Sequence, residues 1–426
     1  MSSQRIRQFL GAKVRALEAR ARRLAQLTPE TVGIRPKDRP FAPSLSHFAA
    51  ANRRLQAIDQ DIERRIRFLK SHWHSASPQN ALTYTALVER EVDRARRAFG
   101  LFFEIFSQRG SEFAPALAAH DAIANDCYTA VRQAAPLIFR GPVLKPVTYM
   151  EHGYSPATNR RGVALRRLLG ETNPFPVIRI PWDRDNPWQA VFLHEVCHNL
   201  QADLGLWNEN EEAVRDRVLK GIGDPMVTTV YSRWHKEIFA DLAAVLLGGP
   251  ASVWGMMEFL AHPGPRTMTY RPGGAHPTGY LRVLILAHLL DRMGFGKDAL
   301  NVRRVWQGLY RPANGHRIPA VLLDTSARTI PNVVDEIVYQ TRRNLAQKAL
   351  ADVIPFTAED ERTIRQASSS LIRGVMPNDV PPRFLVSASR YAIEAGGSPP
   401  RIAKLVIRHL AEFAQVNPTR PVPIPA

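Results

Sequence analysis

Two histidines and a glutamate in one short segment have the spacing of a metal site that activates water. The segment AVFLHEVCHNLQADLG, residues 190–205, carries His194 and His198 four positions apart, with Glu195 directly after the first histidine. Side chains four positions apart on a helix project from the same face, so both imidazole rings could bind one Zn²⁺ ion. Glu195 would lie about 100° further round the helix, where its carboxylate could take a proton from water bound to that ion.

A second segment could supply the third ligand. The stretch WHKEIFADLAAVLL, residues 234–247, predicts an apolar helix on which Glu237 and Asp241 stand one turn apart. Carboxylates on a buried helix are costly unless they have partners. Glu237 could complete a metal site with a fourth position open for water, and Asp241 could accept the free ring N–H of one histidine. Alternatively, the two acids pair with Arg233 and with basic groups elsewhere.

Both segments resemble the zinc-binding helices of the gluzincin metallopeptidases. HEVCH at 194–198 matches the HExxH motif of that family, and EIFAD at 237–241 matches its ExxxD motif. HPTGYLR at 276–282 is similar to the His-Pro-x4-Arg element of the CaaX-protease and HtpX-like peptidases. The likeness covers residues 175–290 and implies a zincin-like core there. The roles it implies are zinc ligands for His194, His198 and Glu237, general base for Glu195, a place near the substrate oxyanion for His276, and support of the site for Asp241 and Arg282.

The pattern around these residues predicts the elements that position them. Asn186 followed by Pro187 predicts the start of the first site helix, with the asparagine as its N-cap, and Gly205 predicts its end. A strand is predicted within 142–152, and the Pro-bounded segment PFPVIRIP, residues 174–181, predicts an edge strand beside the helix. The edge strand could present a peptide to the metal through main-chain hydrogen bonds, or it could be an ordinary edge protected by its prolines.

The remaining pattern divides the chain into three regions and predicts a mainly α fold (α+β) with a small sheet. Residues 1–140 have the amphipathic periodicity of a helical region, whose third helix is predicted from about Leu82 to Ser107. Residues 141–310 form the predicted zincin-like metallopeptidase domain. Residues 311–426 are predicted to be a second helical region that ends in a Pro-rich tail.

The balance of charge bounds the kinds of partner. Lysine and arginine number 57 against 39 acidic residues, which gives a formal net charge of +18. An excess of this size attracts an acidic protein, nucleic acid or an anionic membrane face, or it reflects solvated arginine-rich helix surfaces. Because no RNA-binding aromatic signature or zinc-finger spacing accompanies the charge, a nucleic-acid function is not indicated by the charge alone.

Cysteine use and hydropathy bear on the compartment. Cys127 and Cys197 are the only cysteines, which excludes a disulfide framework and favours a reducing compartment. The basic N-terminal stretch never opens into an apolar segment, so a signal peptide is not expected. The longest apolar stretch, residues 242–261, is interrupted by Gly-Gly-Pro and is too short to span a bilayer. These features predict a soluble, cytoplasmic protein.

Together, the patterns predict a zinc metalloendopeptidase with one Zn²⁺ per chain, acting on a peptide or protein substrate with Glu195 as general base. The alternative is a non-catalytic regulatory protein on a metallopeptidase scaffold, whose basic helices bind nucleic acid or another partner. Substitution of Glu195 separates the two hypotheses, because a binding protein has no need of a base.

Overall fold

Helices dominate the computed structural model, which describes residues 2–73, 75–139, 143–153, 155–161, 172–183, 186–311 and 317–416. They account for 71% of the residues and strands for 5%, so the predicted mainly helical class with small sheets is confirmed. The predicted Pro-rich tail, residues 417–426, lies outside the described residues. No helix within the described ranges is both long and apolar enough to cross a membrane.

Three long helices near the N-terminus share an apolar core, to which Val147, Tyr149, Phe175 and Val177 also belong. They are α1 (Ser2–Arg23), α2 (Leu45–His72) and α3 (Pro78–Ser107). Each buries one stripe of apolar side chains spaced three or four residues apart, such as Ile62 and Ile66 of α2, against its neighbours. Their outer faces carry many arginines, some of which form ion pairs with acids on the same helix or, as Arg94 of α3 does with Asp61 of α2, on an adjacent one.

The third helix ends at the predicted Ser107 but begins earlier than predicted. Its first residue is Pro78, because Ser77 accepts a hydrogen bond from the backbone N–H of Asn80 and proline fits the first turn. The apolar pattern alone cannot predict this start, since the first buried side chain of the helix, Ala81, comes after the cap.

The fourth helix belongs to a different core. α4 (Ala114–Ala134) packs against α16 (Pro382–Glu394) and α17 (Pro399–Val416), which come from the other end of the sequence. The apolar side chains of these three helices form one continuous cluster with those of the central helices.

The first site helix rests on α4. This helix, α5 (Val191–Asp203), contacts α4 through an edge-to-face pair of the His120 and Phe192 rings, whose centroids lie 4.7 Å apart. The Tyr128 hydroxyl of α4 also donates to the carboxylate of Asp203 at 2.8 Å. α4 therefore sets the position of α5 at both ends.

The predicted start of α5 is wrong, and its predicted end is confirmed. The helix begins at Val191, because the residues from Asn186 to Ala190 form turns, in which the N–H of Gln189 donates to the carbonyl of Asn186. Gly205 has a φ of 68°, a left-handed conformation that glycine adopts without strain and that ends the helix.

The second site helix, α7 (Pro225–Gly248), is buried along most of its length. Asp224 caps its N-terminus by accepting a hydrogen bond from the backbone N–H of Val227. α7 packs against α5 and against α6 (Leu206–Ile222), the helix that follows Gly205. The remaining helices are α8 (Pro250–Leu260), α9 (Gly264–Thr267), α10 (Gly279–Arg292), α11 (Gly296–Leu309), α12 (Ala320–Asp324), α13 (Ser326–Val334), α14 (Leu350–Val353) and α15 (Ala358–Ile372).

A small sheet lies beside the site helices. Its strands are β1 (Val147–Met150), β2 (Ala157–Asn159) and β3 (Val177–Ile180), in the order β1-β3-β2. β1 is parallel to β3, and β2 is antiparallel to it. β1 and β3 confirm the two predicted strands. A separate pair of two-residue strands, β4 (Thr341–Arg342) and β5 (Lys348–Ala349), is antiparallel.

The prediction that residues 174–181 form an edge strand is wrong, because β3 is the central strand. Val177, Ile178 and Ile180 are all buried, as is typical of a strand that is covered on both faces. The prolines of the segment lie before and after β3 rather than within it, so they do not block pairing on either side. The edge position next to α5 belongs to β2, whose three residues are too few to show a strand pattern in the sequence.

Candidate metal centre

The packing of α5 on α7 brings together two histidines and a glutamate that could hold a metal ion. One possible ligand atom from each of His194, His198 and Glu237 lies within 4.8 Å of the others. Nε2 of His194 is 3.4 Å from Oε2 of Glu237, and Nε2 of His198 is 3.5 Å from Oε1. His194 and Glu237 are buried, and His198 is partly buried.

The spacing of these atoms fits a single ion. Metal–nitrogen and metal–oxygen bonds of roughly 2.0–2.2 Å at tetrahedral angles place two ligand atoms about 3.3–3.5 Å apart. The two nitrogen–oxygen distances, each to a different oxygen of the Glu237 carboxylate, lie in this range, and both are long for hydrogen bonds. Two imidazole nitrogens and one carboxylate also leave a fourth position for water. The donor set and the geometry therefore suit a divalent metal ion with an open coordination position.

A buried ion pair between Asp241 and Arg282 lies next to Nδ1 of His194. Oδ1 of Asp241, one turn after Glu237 on α7, lies 2.8 Å from Nδ1 of His194. Arg282 of α10 donates to the same carboxylate twice, from Nε at 2.7 Å and from Nη2 at 2.6 Å. Arg233 instead donates to the Gly274 carbonyl and the Tyr270 hydroxyl.

This arrangement accounts for the cost of burying a carboxylate and a guanidinium. Both side chains are almost wholly buried, and each charged group has a bidentate partner. Removing either partner would leave an unpaired buried charge, so the ion pair stabilises the packing of α7 against α10 beside the ring of His194.

The charges around the group determine its protonation before a metal binds. Burial lowers the pKa of His194, but the charge of Asp241 and the interactions of the ring with the Asp241 and Glu237 carboxylates together outweigh it and raise the pKa to about 9. Burial raises the pKa of Glu237 and of Asp241, yet the histidines beside Glu237, and Arg282 with His194 beside Asp241, hold both pKa values below their ordinary range. In the metal-free protein, His194 is therefore protonated at neutral pH.

We expect Zn²⁺ binding at pH 7.5 to release about one proton from His194, because its ring must be neutral to bind the ion. A histidine of ordinary pKa would release about a tenth of a proton at that pH. The release from His194 should fall to about half a proton near pH 9, as the pH rises through its pKa in the folded chain. Titration calorimetry in buffers of different ionisation enthalpy measures the number of protons released.

The control for this prediction is Asp241→Asn, which removes the charge that raises the pKa. Protons lost by metal-bound water appear in both proteins, so the difference between them reports on His194. Equal proton release from the two proteins at pH 7.5 would contradict the assignment.

Glu195 faces an open cleft beside the metal-binding group. The cleft has a volume of about 370 Å³ and is lined by residues of β2, α5, α7 and the segment before α10. The hydroxyl of Thr158, in β2, donates to the backbone carbonyl of Glu195 at 2.8 Å. This bond fixes the edge strand against the helix that carries the glutamate.

His276 reaches the group from the segment that precedes α10. Its Nε2 lies 3.4 Å from Oε2 of Glu237, and 69% of its side chain is exposed. Thr278 then caps α10, accepting a hydrogen bond from the backbone N–H of Leu281, which sets the direction of the helix. This segment therefore places His276 at the mouth of the cleft, and by setting the direction of α10 it also places Arg282 beside Asp241. The structure thus brings together all seven side chains singled out in the sequence.

Three further side chains of the cleft could not be predicted from the sequence. The guanidinium carbon of Arg160 lies 3.8 Å from the centre of the Trp207 ring, and Nζ of Lys236 lies 5.4 Å from it. All three side chains line the cleft. The only signal in the sequence is that Lys236 directly precedes Glu237.

Comparisons with protein-family models, curated proteins and solved structures find no match for this chain. A function for this chain must therefore be inferred from the geometry of the site.

Proposed function

We propose that this protein is a zinc-dependent endopeptidase of the gluzincin type. The observation that carries the proposal is the group formed by His194, His198 and Glu237, which could hold a metal ion at the side of an open cleft. Its donor set is one that catalytic Zn²⁺ sites use, with three protein ligands and a fourth position for water. A structural zinc site would instead close all four positions, usually with cysteine or histidine.

Zn²⁺ bound there would supply a Lewis acid that polarises the scissile carbonyl and lowers the pKa of water. Glu195 would accept the proton of the attacking water and pass it to the leaving amine. His276, at the mouth of the cleft, would donate a hydrogen bond to the former carbonyl oxygen as negative charge develops on it. Asp241 and Arg282 would hold His194 in the orientation that the metal requires.

The edge strand β2 would bind the substrate. Its Ala157 and Thr158 line the cleft, and β3 is its pairing partner in the described part of the chain. An extended peptide could add to the other edge through main-chain hydrogen bonds, which impose little sequence preference. The peptide-binding role that was predicted for residues 174–181 is thus assigned to β2, which contacts α5 at the proposed base Glu195.

The test is metal-dependent hydrolysis of an unstructured protein such as casein. We expect activity in the zinc-loaded protein, its loss after dialysis against a chelator, and its return when one equivalent of Zn²⁺ is added. Mass spectrometry of the products identifies internal cleavage. Equal hydrolysis by the chelated and loaded proteins, or none by protein loaded with one zinc per chain, would refute the proposal.

A further inference from the structure

One wall of the cleft carries two cations that contact one aromatic ring. Arg160 directly follows β2, Trp207 lies at the start of α6, and Lys236 precedes the ligand Glu237 on α7. The guanidinium of Arg160 lies over the ring at 3.8 Å and the ammonium of Lys236 at 5.4 Å, both within the range of cation–π attraction. Three separate elements therefore direct these side chains to one place.

Neither cation has an acidic partner in the described part of the chain. No carboxylate in the described ranges lies within ion-pair distance of Arg160 or Lys236, whereas Arg282, which also lines the cleft, is paired with Asp241. Both unpaired side chains are partly buried, so they have given up part of their hydration without gaining an ionic partner. An anion that entered the cleft could supply that partner.

In a peptide substrate, the anion that these cations could bind would be a carboxylate. A guanidinium presents two parallel N–H groups that match the two oxygens of a carboxylate, and an ammonium adds a third donor. The Trp207 ring holds both cations at the side of the cleft, so little side-chain freedom is lost when an anion binds. The acids of the cleft, Glu195 and Glu237, belong to the proposed base and metal ligand and are not paired with these cations.

We propose that Arg160, Lys236 and Trp207 form a carboxylate-binding subsite. It directs hydrolysis to substrates that have an acidic side chain or a free C-terminal carboxylate close to the scissile bond. The inference rests on the proposed peptidase function for its link to cleavage, but carboxylate binding can be measured without turnover.

The experiment uses the zinc-loaded Glu195→Gln protein, which binds peptides but should not cut them. The probes are fluorescent alanine hexapeptides amidated at the C-terminus, with a single glutamate at each position in turn, and the matched glutamine peptides. A second arm compares an all-alanine hexapeptide with a free C-terminal acid and its amide. Fluorescence anisotropy gives the Kd of each.

We expect one carboxylate peptide to bind roughly 10- to 100-fold more tightly than its neutral partner, the range that a charge-assisted hydrogen bond supplies. Preference within the glutamate series identifies a side-chain carboxylate as the ligand, and preference in the second arm identifies the C-terminus. Adding Arg160→Gln and Lys236→Gln should abolish the preference, and Arg160→Lys should restore part of it. Arg217→Gln, which removes an exposed charge of α6 outside the cleft, should leave it unchanged.

The results separate the two proposals. Equal binding of acidic and neutral peptides, or a preference that survives the double substitution, overturns the subsite. If the wild type then still cleaves peptides, the peptidase function stands without it. Selective binding of a carboxylate peptide by a zinc-loaded wild type that cleaves none would uphold the subsite and refute the peptidase.

Discussion

Replacing Glu195 with glutamine should lower kcat for the proposed peptide hydrolysis by roughly 10²- to 10⁴-fold, the contribution typical of a general base. Glutamine has the same shape but cannot accept the proton of the attacking water. Zinc content should stay at the expected one per chain, because Glu195 is not a member of the group that could hold the ion. Single-turnover kinetics and metal analysis on the same preparation measure both quantities.

The exposed Glu212 of α6 provides a matched control, because Glu212→Gln removes the same charge from a residue that does not line the cleft. That variant should retain wild-type kcat. If Glu195→Gln hydrolyses peptides at the wild-type rate, Glu195 is not the base. The alternative function, a regulatory protein on a peptidase scaffold, predicts partner binding that Glu195→Gln leaves unchanged and no hydrolysis by the wild type.

Glu237→Ala should weaken Zn²⁺ binding by at least about 100-fold. Residues that only orient a ligand contribute about 10- to 100-fold to metal affinity, and a direct ligand contributes more. The carboxylate of Glu237 lies 3.4–3.5 Å from the ring nitrogens of His194 and His198, so its loss removes a third of the donor set. Competition with a chromophoric chelator measures the affinity.

The control is Glu212→Ala, the same change at an exposed position. Far-ultraviolet circular dichroism of Glu237→Ala verifies that the helices remain. Wild-type zinc affinity in folded Glu237→Ala would refute the three-ligand site, whatever the activity of that variant.

Both ligand helices could be predicted because the relevant spacing is local. His194 and His198 share a face through helical periodicity alone, and the same rule places Glu237 one turn before Asp241. The packing of the two helices against each other is not a local property. The sequence indicates only that Glu237 and Asp241 need partners when they are buried. The main partner of Asp241 is Arg282 on a third helix, α10.

The strand order of the sheet and the contact of Arg160 and Lys236 with Trp207 could not be predicted, for different reasons. Strand order depends on which edge is covered by neighbours, and nothing in residues 174–181 indicates that two strands flank β3. β2 is too short to show alternation. Arg160, Trp207 and Lys236 come from three elements whose approach depends on the packing of α5, α6 and α7, so their contact becomes visible only in the structure.

Because α17 packs on α4, the support beneath the site is completed late in synthesis. α4 supports α5, but α17, which covers α4, begins about 150 residues after the end of α7. At roughly 5–20 residues per second, a ribosome takes about 8–30 s to make that stretch. α5 and α7 thus leave the ribosome well before α17 is available to pack on α4. A nascent chain of this protein carries the residues of the site but not yet the support that holds them at metal-binding distances.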